Sequence, residues 1–404
     1  MDKKNLKDLP DAQLNNKRVL VRVDYNVPLE NGRVTDDKRI RETIPTLQYL
    51  IERKARIILI SHLGRPKGKW HESMSLRPAA DHLGTLIKAP VRFVSDIVGA
   101  QAKTAADALA PGEILVIENS RFLPGEETND PKLSEDFAAL ADVYVNDAFG
   151  SAHRAHASTC GVAEMMKQEG KPAVAGFLME KELRFLGGAL ANPKKPFVAI
   201  LGGAKISGKI DVIENLLPRV DQLLIGGAMA NTFFRALGLE TGGSLVEEER
   251  GDLARELIER AGARLILPVD CVVATEAKPG VATAVLDRAG VTPDGKIFDI
   301  GPKSVTLFRG VISKANTILW NGPVGMFEIA EFAKGTDGVA HAVADATDRG
   351  AVTIVGGGDT AAAVEESKVA DRMTHVSTGG GASLEFLEGK TLPGVAILDD
   401  RSAP

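Results

Sequence analysis

The chain has 404 residues, 44% apolar and 25% charged, with a formal net charge of -5. That length favours two domains, with sizeable cores formed without disulfides or metals. The charge balance gives no sign of nucleic-acid binding, the two distant cysteines (Cys160 and Cys271) argue against a disulfide scaffold or zinc site and suit a reducing compartment, and no apolar run approaches the about 20 residues of a membrane span.

In chain order, Met1–Gln13 is polar and carries no apolar signal segment, so the cytoplasm is the expected location. Short apolar runs then alternate with helical patterns. Arg18–Val23 precedes a helix over Lys38–Lys54, Arg56–Ser61 precedes Leu76–Ile87, and Glu113–Ile117 precedes Ser134–Leu140 and then Asp142–Val145. An amphipathic helix over Phe177–Leu190, with Leu178, Leu183, Leu186 and Leu190 on one side, is broken by Asn192-Pro193-Lys194-Lys195-Pro196. Beyond it come Phe197–Leu201, Ile210–Leu217, Gln222–Ile225, Arg264–Leu267, Thr317–Trp320, Thr336–Thr347, Val352–Val355 and Thr374–Val376. Most of the strand-like runs are continuously apolar at their centres, which fits strands of parallel sheets covered on both faces. The alternation implies α/β architecture with right-handed crossovers. The expected fold is therefore two doubly wound parallel-sheet (Rossmann-like) domains, 1–175 and 192–390, joined by a linker helix over 176–191.

In open α/β sheets ligands bind beyond the carboxyl ends of the strands. In the first half those ends deliver polar and cationic groups: Asp24, Tyr25 and Asn26; His62 and Arg65; Asn119 and Arg121; Asn146, Asp147, His153 and Arg154. Arg39 opens the helix after the first strand. If these ends share one edge, Arg39, Arg65, Arg121 and Arg154 converge, and arginine suits bidentate contact with carboxylate or phosphate. Taken singly, each arginine could be a solvated surface residue, and either histidine an ordinary loop residue.

In the second half the strand ends deliver glycine. Five turns do so: Gly202-Gly203-Ala204-Lys205, Gly226-Gly227-Ala228, Asn321-Gly322-Pro323-Val324-Gly325, Gly356-Gly357-Gly358-Asp359-Thr360, and Ser377-Thr378-Gly379-Gly380-Gly381-Ala382-Ser383. Glycine lets backbone approach a ligand closely, and free amides at a helix start bind phosphate. Gly203–Lys209 fits the opening of a P-loop, but Ile210 stands where the Mg²⁺-binding hydroxyl belongs. Gly356–Ala361 fits a dinucleotide fingerprint, but the next strand ends in Val376-Ser377-Thr378-Gly379 without the acidic ribose partner. A polyphosphate turn is the better reading of both. Asp359 suits a Mg²⁺-nucleotide contact, with a helix cap as its plainer role. Lys205 and Lys209 near the positive end of a helix call for a phosphate neighbour.

The chain resembles the phosphoglycerate kinase family at seven of these segments: Arg22–Pro28, Ser61–Pro66, Asp147–Arg154, Leu201–Lys205, Trp320–Gly325, Gly356–Thr360 and His375–Ser383. The resemblance spans nearly the whole length. Departures from the family pattern are Tyr25 for Phe, Ser120 for Leu and Gly208 for Asp. The resemblance implies reversible phosphoryl transfer from 1,3-bisphosphoglycerate to Mg-ADP, in-line, after hinge closure of the two domains. It places 3-phosphoglycerate in the first domain on Asp24, Asn26, Arg39, His62, Leu63, Gly64, Arg65, Arg121 and Arg154. It places the nucleotide, ATP or ADP, on Lys205, Lys209, Asn321, Glu328, Gly357, Gly358, Asp359 and Thr360, with Asp359 towards Mg²⁺. It implies a monomer whose tail, 391–404, packs on the first domain. On this basis Arg39, Lys205 and the Gly379, Gly380 and Gly381 amides are expected to stabilise the moving group. An NAD-dependent dehydrogenase and a non-catalytic nucleotide-binding module are the alternatives; the second would not need the arginines.

Overall fold

The computed structural model describes residues 2–401. Residues up to Arg184, together with those from Thr391 on, form one compact unit, and Phe185–Lys390 forms the other. Each unit is built on a six-stranded sheet.

In the first unit the strands lie in the order Val91–Val94, Ile114–Ile117, Arg56–Ile60, Arg18–Arg22, Val143–Asn146, Ala173–Ala175, and every neighbouring pair is parallel. Four of these strands are buried almost throughout, as continuous apolar runs require when helices cover both faces. The two edge strands escape sequence reading for opposite reasons. Val91–Val94 is half-exposed and interrupted by Arg92, and Ala173–Ala175 is only three small residues long.

In the second unit the order is Leu265–Ile266, Gln222–Ile225, Phe197–Leu201, Thr317–Asn321, Val352–Gly356, His375–Val376, again all parallel. A small antiparallel sheet of Asp270–Ala274, Ala284–Asp287 and Lys296–Ile300 is inserted before the fourth of these strands in the chain. The expected α/β class holds for both units.

The helix expected over Lys38–Lys54 is two helices, Lys38–Arg41 and Ile44–Glu52. Pro45 has no N–H to continue the ladder, and the Thr43 hydroxyl turns back to the Ile40 carbonyl at 2.8 Å. The break leaves Arg39 on a short helix of its own. The linker helix spans Phe177–Ala191, and the division between the units falls inside it, after Arg184. Beyond Thr391 the side chains of Leu392, Val395 and Leu398 are fully buried, and Lys3 Nζ donates to the Ala396 and Leu398 carbonyls at 2.8 Å each. Residues 402–404 of the expected tail lie outside the described residues.

In the first sheet the chain order turns back once at the outer edge, where Ile114–Ile117 lies inside Val91–Val94, and reverses again between Arg18–Arg22 and Val143–Asn146; in the second it reverses between Phe197–Leu201 and Thr317–Asn321. Loops leaving those strands diverge to opposite faces and open a crevice at the carboxyl edge.

Candidate active site

At the first crevice the loop 24–26 is wired to Arg39. Arg39 Nη1 donates to Asp24 Oδ2 at 3.0 Å and to the Asn26 carbonyl at 3.2 Å, and the Asn26 amide closes on Asp24 Oδ1 at 3.2 Å. Asn26 Oδ1 accepts from Gly64 N–H at 2.9 Å, and Arg121 Nη1 donates to the Gly64 carbonyl at 3.0 Å. Asn119 Nδ2 holds the Leu63 carbonyl at 2.7 Å. The backbone groups of Leu63 and Gly64 are thus engaged within the protein, and they fix the turn that presents Arg65. Among the described residues no hydrogen bond or ion pair holds the exposed Arg65 side chain.

Behind this layer sits Arg22, fully buried at the end of the central strand. It donates through Nε to Ser158 Oγ at 2.9 Å and through Nη2 to His62 Nδ1 at 3.0 Å. Ser158 passes the contact on to buried Glu126, 2.5 Å away. Burial, then the charges of Arg22, Arg121 and Arg39, hold His62 well below the ordinary imidazole range. A guanidinium has only donors, so Nδ1 must accept, and the neutral ring carries its proton on Nε2. His156 is likewise brought down to about 4 by burial and by Arg121, Arg22 and Arg154. Arg39 and Arg121 thus act on His62, and Arg121 and Arg154 on His156. Arg22, Glu126 and Ser158 were not anticipated as site residues. Arg22's one signal was a charged residue closing an apolar run, Val19–Val21; Glu126 and Ser158 gave none.

At the second crevice the glycines divide into two kinds. A Cβ on Gly202 would lie 2.0 Å from the Pro323 carbonyl oxygen, and one on Gly322 would lie 2.2 Å from the Gly202 carbonyl oxygen. These two are glycine because the loops touch each other, which corrects the expectation that all five turns are open to a ligand. Gly357, at φ +90°, ends the strand Val352–Gly356 and leads into the helix Gly358–Glu366, whose first residue faces open space.

Lys209 Nζ bonds Asn321 Oδ1, and burial lowers Lys209 to about 8 against the attraction of Asp359 and Glu388. Asn321 Nδ2 is buried without a hydrogen-bond partner among the described residues. Asp359 lies exposed in the first turn of its helix, and among the described residues no hydrogen bond or ion pair holds its carboxylate. The Thr360 hydroxyl accepts from Gly322 N–H at 2.7 Å, so its side chain braces the loop while its own amide stays at the helix start. Similarly the Gly379 amide donates to Ser377 Oγ at 3.1 Å, while Gly380, at φ +51°, caps the helix Gly381–Leu387 with open space around it. Lys205 and Glu328 are both exposed. Among the described residues no group of three His, Cys, Asp or Glu side chains is placed to hold a metal by itself.

A family model described as phosphoglycerate kinase matches residues 9–390. Curated phosphoglycerate kinases from Chloroflexus aggregans and Moorella thermoacetica are 53% and 56% identical, over 99% and 97% of this chain and 100% and 99% of theirs. Solved phosphoglycerate kinases from Coxiella burnetii and Pyrococcus horikoshii superpose with TM-scores of 0.89 and 0.82 at 45% and 32% identity, covering 99% and 98% of this chain and 100% and 98% of theirs. The chain belongs to the phosphoglycerate kinase family and transfers a phosphoryl group between 1,3-bisphosphoglycerate and ADP in glycolysis.

Proposed function

We propose that the first unit's crevice holds 3-phosphoglycerate and the second unit's holds the Mg-nucleotide. The observation that carries the substrate half is the cluster of arginines around a histidine kept neutral. Among the described residues Arg65 and Arg154 have no carboxylate partner, and such an excess of positive charge suits a ligand bearing phosphate and carboxylate. His62 offers Nε2–H as a neutral donor, and Asp24 and Asn26 are placed to meet the hydroxyl. Arg22 keeps the His62 tautomer and so orients that donor.

On the nucleotide side the phosphates meet the Gly358–Thr360 amides at the helix start, with Lys209, Asn321 and Lys205 around them. Asn321 Nδ2, buried and unpaired, gains an acceptor from a phosphate oxygen. Exposed Glu328 is a further contact for the nucleotide in this reading. Asp359 fits Mg²⁺: a single exposed carboxylate needs its remaining oxygen ligands from phosphate and water. When bound, that ion neutralises and orients the phosphate oxygens.

No general base is required, because the attacking carboxylate is already ionised at neutral pH. Catalysis then consists of positioning and charge stabilisation, with Arg39, Lys205 and the amides of Gly380 and Gly381 stabilising the transferring group. Transfer needs both ligands within bonding distance and water excluded, so a hinge closure that depends on both ligands completes the site. The enzyme acts as a cytoplasmic monomer in this reading. A coupled assay with 3-phosphoglycerate and ATP should show turnover that is lost on chelating Mg²⁺ and restored by adding it back. Turnover indifferent to chelation would sink the Asp359–Mg²⁺ part.

A further inference from the structure

The small antiparallel sheet inserted in the second unit has no part in the chemistry described so far. One of its residues, Asp299 on the strand Lys296–Ile300, is 2% exposed and pairs with no cation among the described residues. Burial pushes its carboxyl well above the ordinary carboxylate range, against two amides that favour the charge. Those amides are Gly335 N–H, 2.6 Å from Oδ2, and Ile300 N–H, 2.8 Å from Oδ1. Oδ1 also faces Gly325: a Cβ there would lie 2.0 Å from it, and one on Gly335 2.2 Å. The carboxylate therefore fills the neck of the loop 325–335 and meets both of its ends. The body of that loop rests on the same sheet and the turn beside it. Met326 N–H donates to the Phe298 carbonyl at 2.9 Å, and the fully buried Phe332 ring packs on Phe298 with centroids 4.7 Å apart. Glu331 Oε1 accepts from Gly280 N–H at 2.7 Å. Exposed Glu328 stands on the loop's outer turn, which Ile329 N–H closes on the Met326 carbonyl at 3.2 Å.

A carboxylate at a helix start is often no more than a cap, and Ala333, which precedes the helix Lys334–Asp348, makes no side-chain cap of its own. A cap alone would not need a glycine at 325. Burying a carboxyl without a cation is also costly, and here it comes with a fit to two glycines at opposite ends of one loop. We propose that Asp299 is a positioning residue for the nucleotide: it closes the neck of the loop 325–335 and so presents Glu328 to Mg-ADP already ordered. This rests on the reading that Glu328 contacts the nucleotide. A loop pinned at its neck and along the inserted sheet loses little freedom when the ligand arrives, which is how preorganisation strengthens binding. Asp299 itself is buried beneath the loop and touches no ligand, so its effect on the nucleotide passes through Glu328.

Asp299→Asn and Gly325→Ala test this on the intact enzyme. The first keeps the shape of the side chain and one acceptor. The second puts a methyl against the same oxygen from the loop side, so either variant carries the test if the other does not fold. Each is expected to raise Kd and KM for Mg-ADP about tenfold, as loss of a charged contact does. With uniform binding lost, kcat at saturating nucleotide and KM for 3-phosphoglycerate should stay within about twofold of wild type. A merely structural carboxylate would lower the melting temperature and leave the Mg-ADP values unchanged below it. That result overturns the proposal, and so does an equal rise in KM for 3-phosphoglycerate. Glu328→Ala separates the two layers. If it leaves Mg-ADP affinity unchanged, the reading of Glu328 fails and the proposal with it. If it weakens Mg-ADP, adding Asp299→Asn should weaken binding by no more than about a further twofold, because residues acting through one contact are not additive. Full additivity would overturn the proposal while leaving the reading of Glu328 intact.

Discussion

Arg39 is braced by Asp24 and the Asn26 carbonyl yet keeps about a third of its side chain exposed, 35%. A guanidinium held this way is poised without being consumed by its partners. Arg39→Ala is expected to lower kcat by about 10³ or more, the range found for arginines that stabilise phosphoryl transfer. A change confined to KM would mean that only ground-state binding was lost. Lys209 carries a pH signature. Its ammonium is lowered to about 8 by burial, so it is cationic below that pH and increasingly neutral above it. ADP affinity should therefore fall as pH rises from 7.5 to 9.5, and Lys209→Arg should flatten the profile because guanidinium stays charged. Calorimetric titration across that range checks both. The arginines at the strand ends were legible in the sequence because position after a strand is itself a functional coordinate. Arg22 was not: whether a charged residue in a strand faces a site or solvent depends on sheet register, and register needs the neighbours.

At the scale of elements, the glycine turns show where pattern stops short of role. Sequence places five of them after strands, but it cannot say whether a glycine makes room for a ligand or for another loop. Two substitutions separate the cases. Gly202→Ala puts a methyl 2.0 Å from the Pro323 oxygen, and overpacking of this kind costs about 1–3 kcal/mol or more. Its melting temperature should drop. Gly358→Ala meets no protein atom within 4 Å, so its melting temperature should hold while the nucleotide Kd rises. Equal stability of the two variants would contradict that division. The long helix expected after the first strand broke at Thr43-Ile44-Pro45, a boundary the proline already marked, and the break decides where Arg39 stands. The inserted antiparallel sheet went unread because Ala284–Asp287 is largely exposed and carries no continuous apolar run.

At the scale of the whole molecule, the proposed reading gives each parallel sheet one half of the chemistry. Neither half suffices, since the acid's carboxylate and the nucleotide's terminal phosphate must meet in line. Small-angle scattering should show compaction with 3-phosphoglycerate and Mg-nucleotide together and less with either alone. The central claim, that each unit holds one substrate, is tested most directly by titrating 3-phosphoglycerate and Mg-ADP separately into Arg65→Ala and Lys205→Ala. Both side chains are exposed and make no bond among the described residues, so neither change should disturb the fold. Arg65→Ala should weaken 3-phosphoglycerate about tenfold or more, as loss of a charged hydrogen bond does, and leave Mg-ADP unchanged; Lys205→Ala should do the reverse. Weakening of the nucleotide by Arg65→Ala, or of 3-phosphoglycerate by Lys205→Ala, would contradict it.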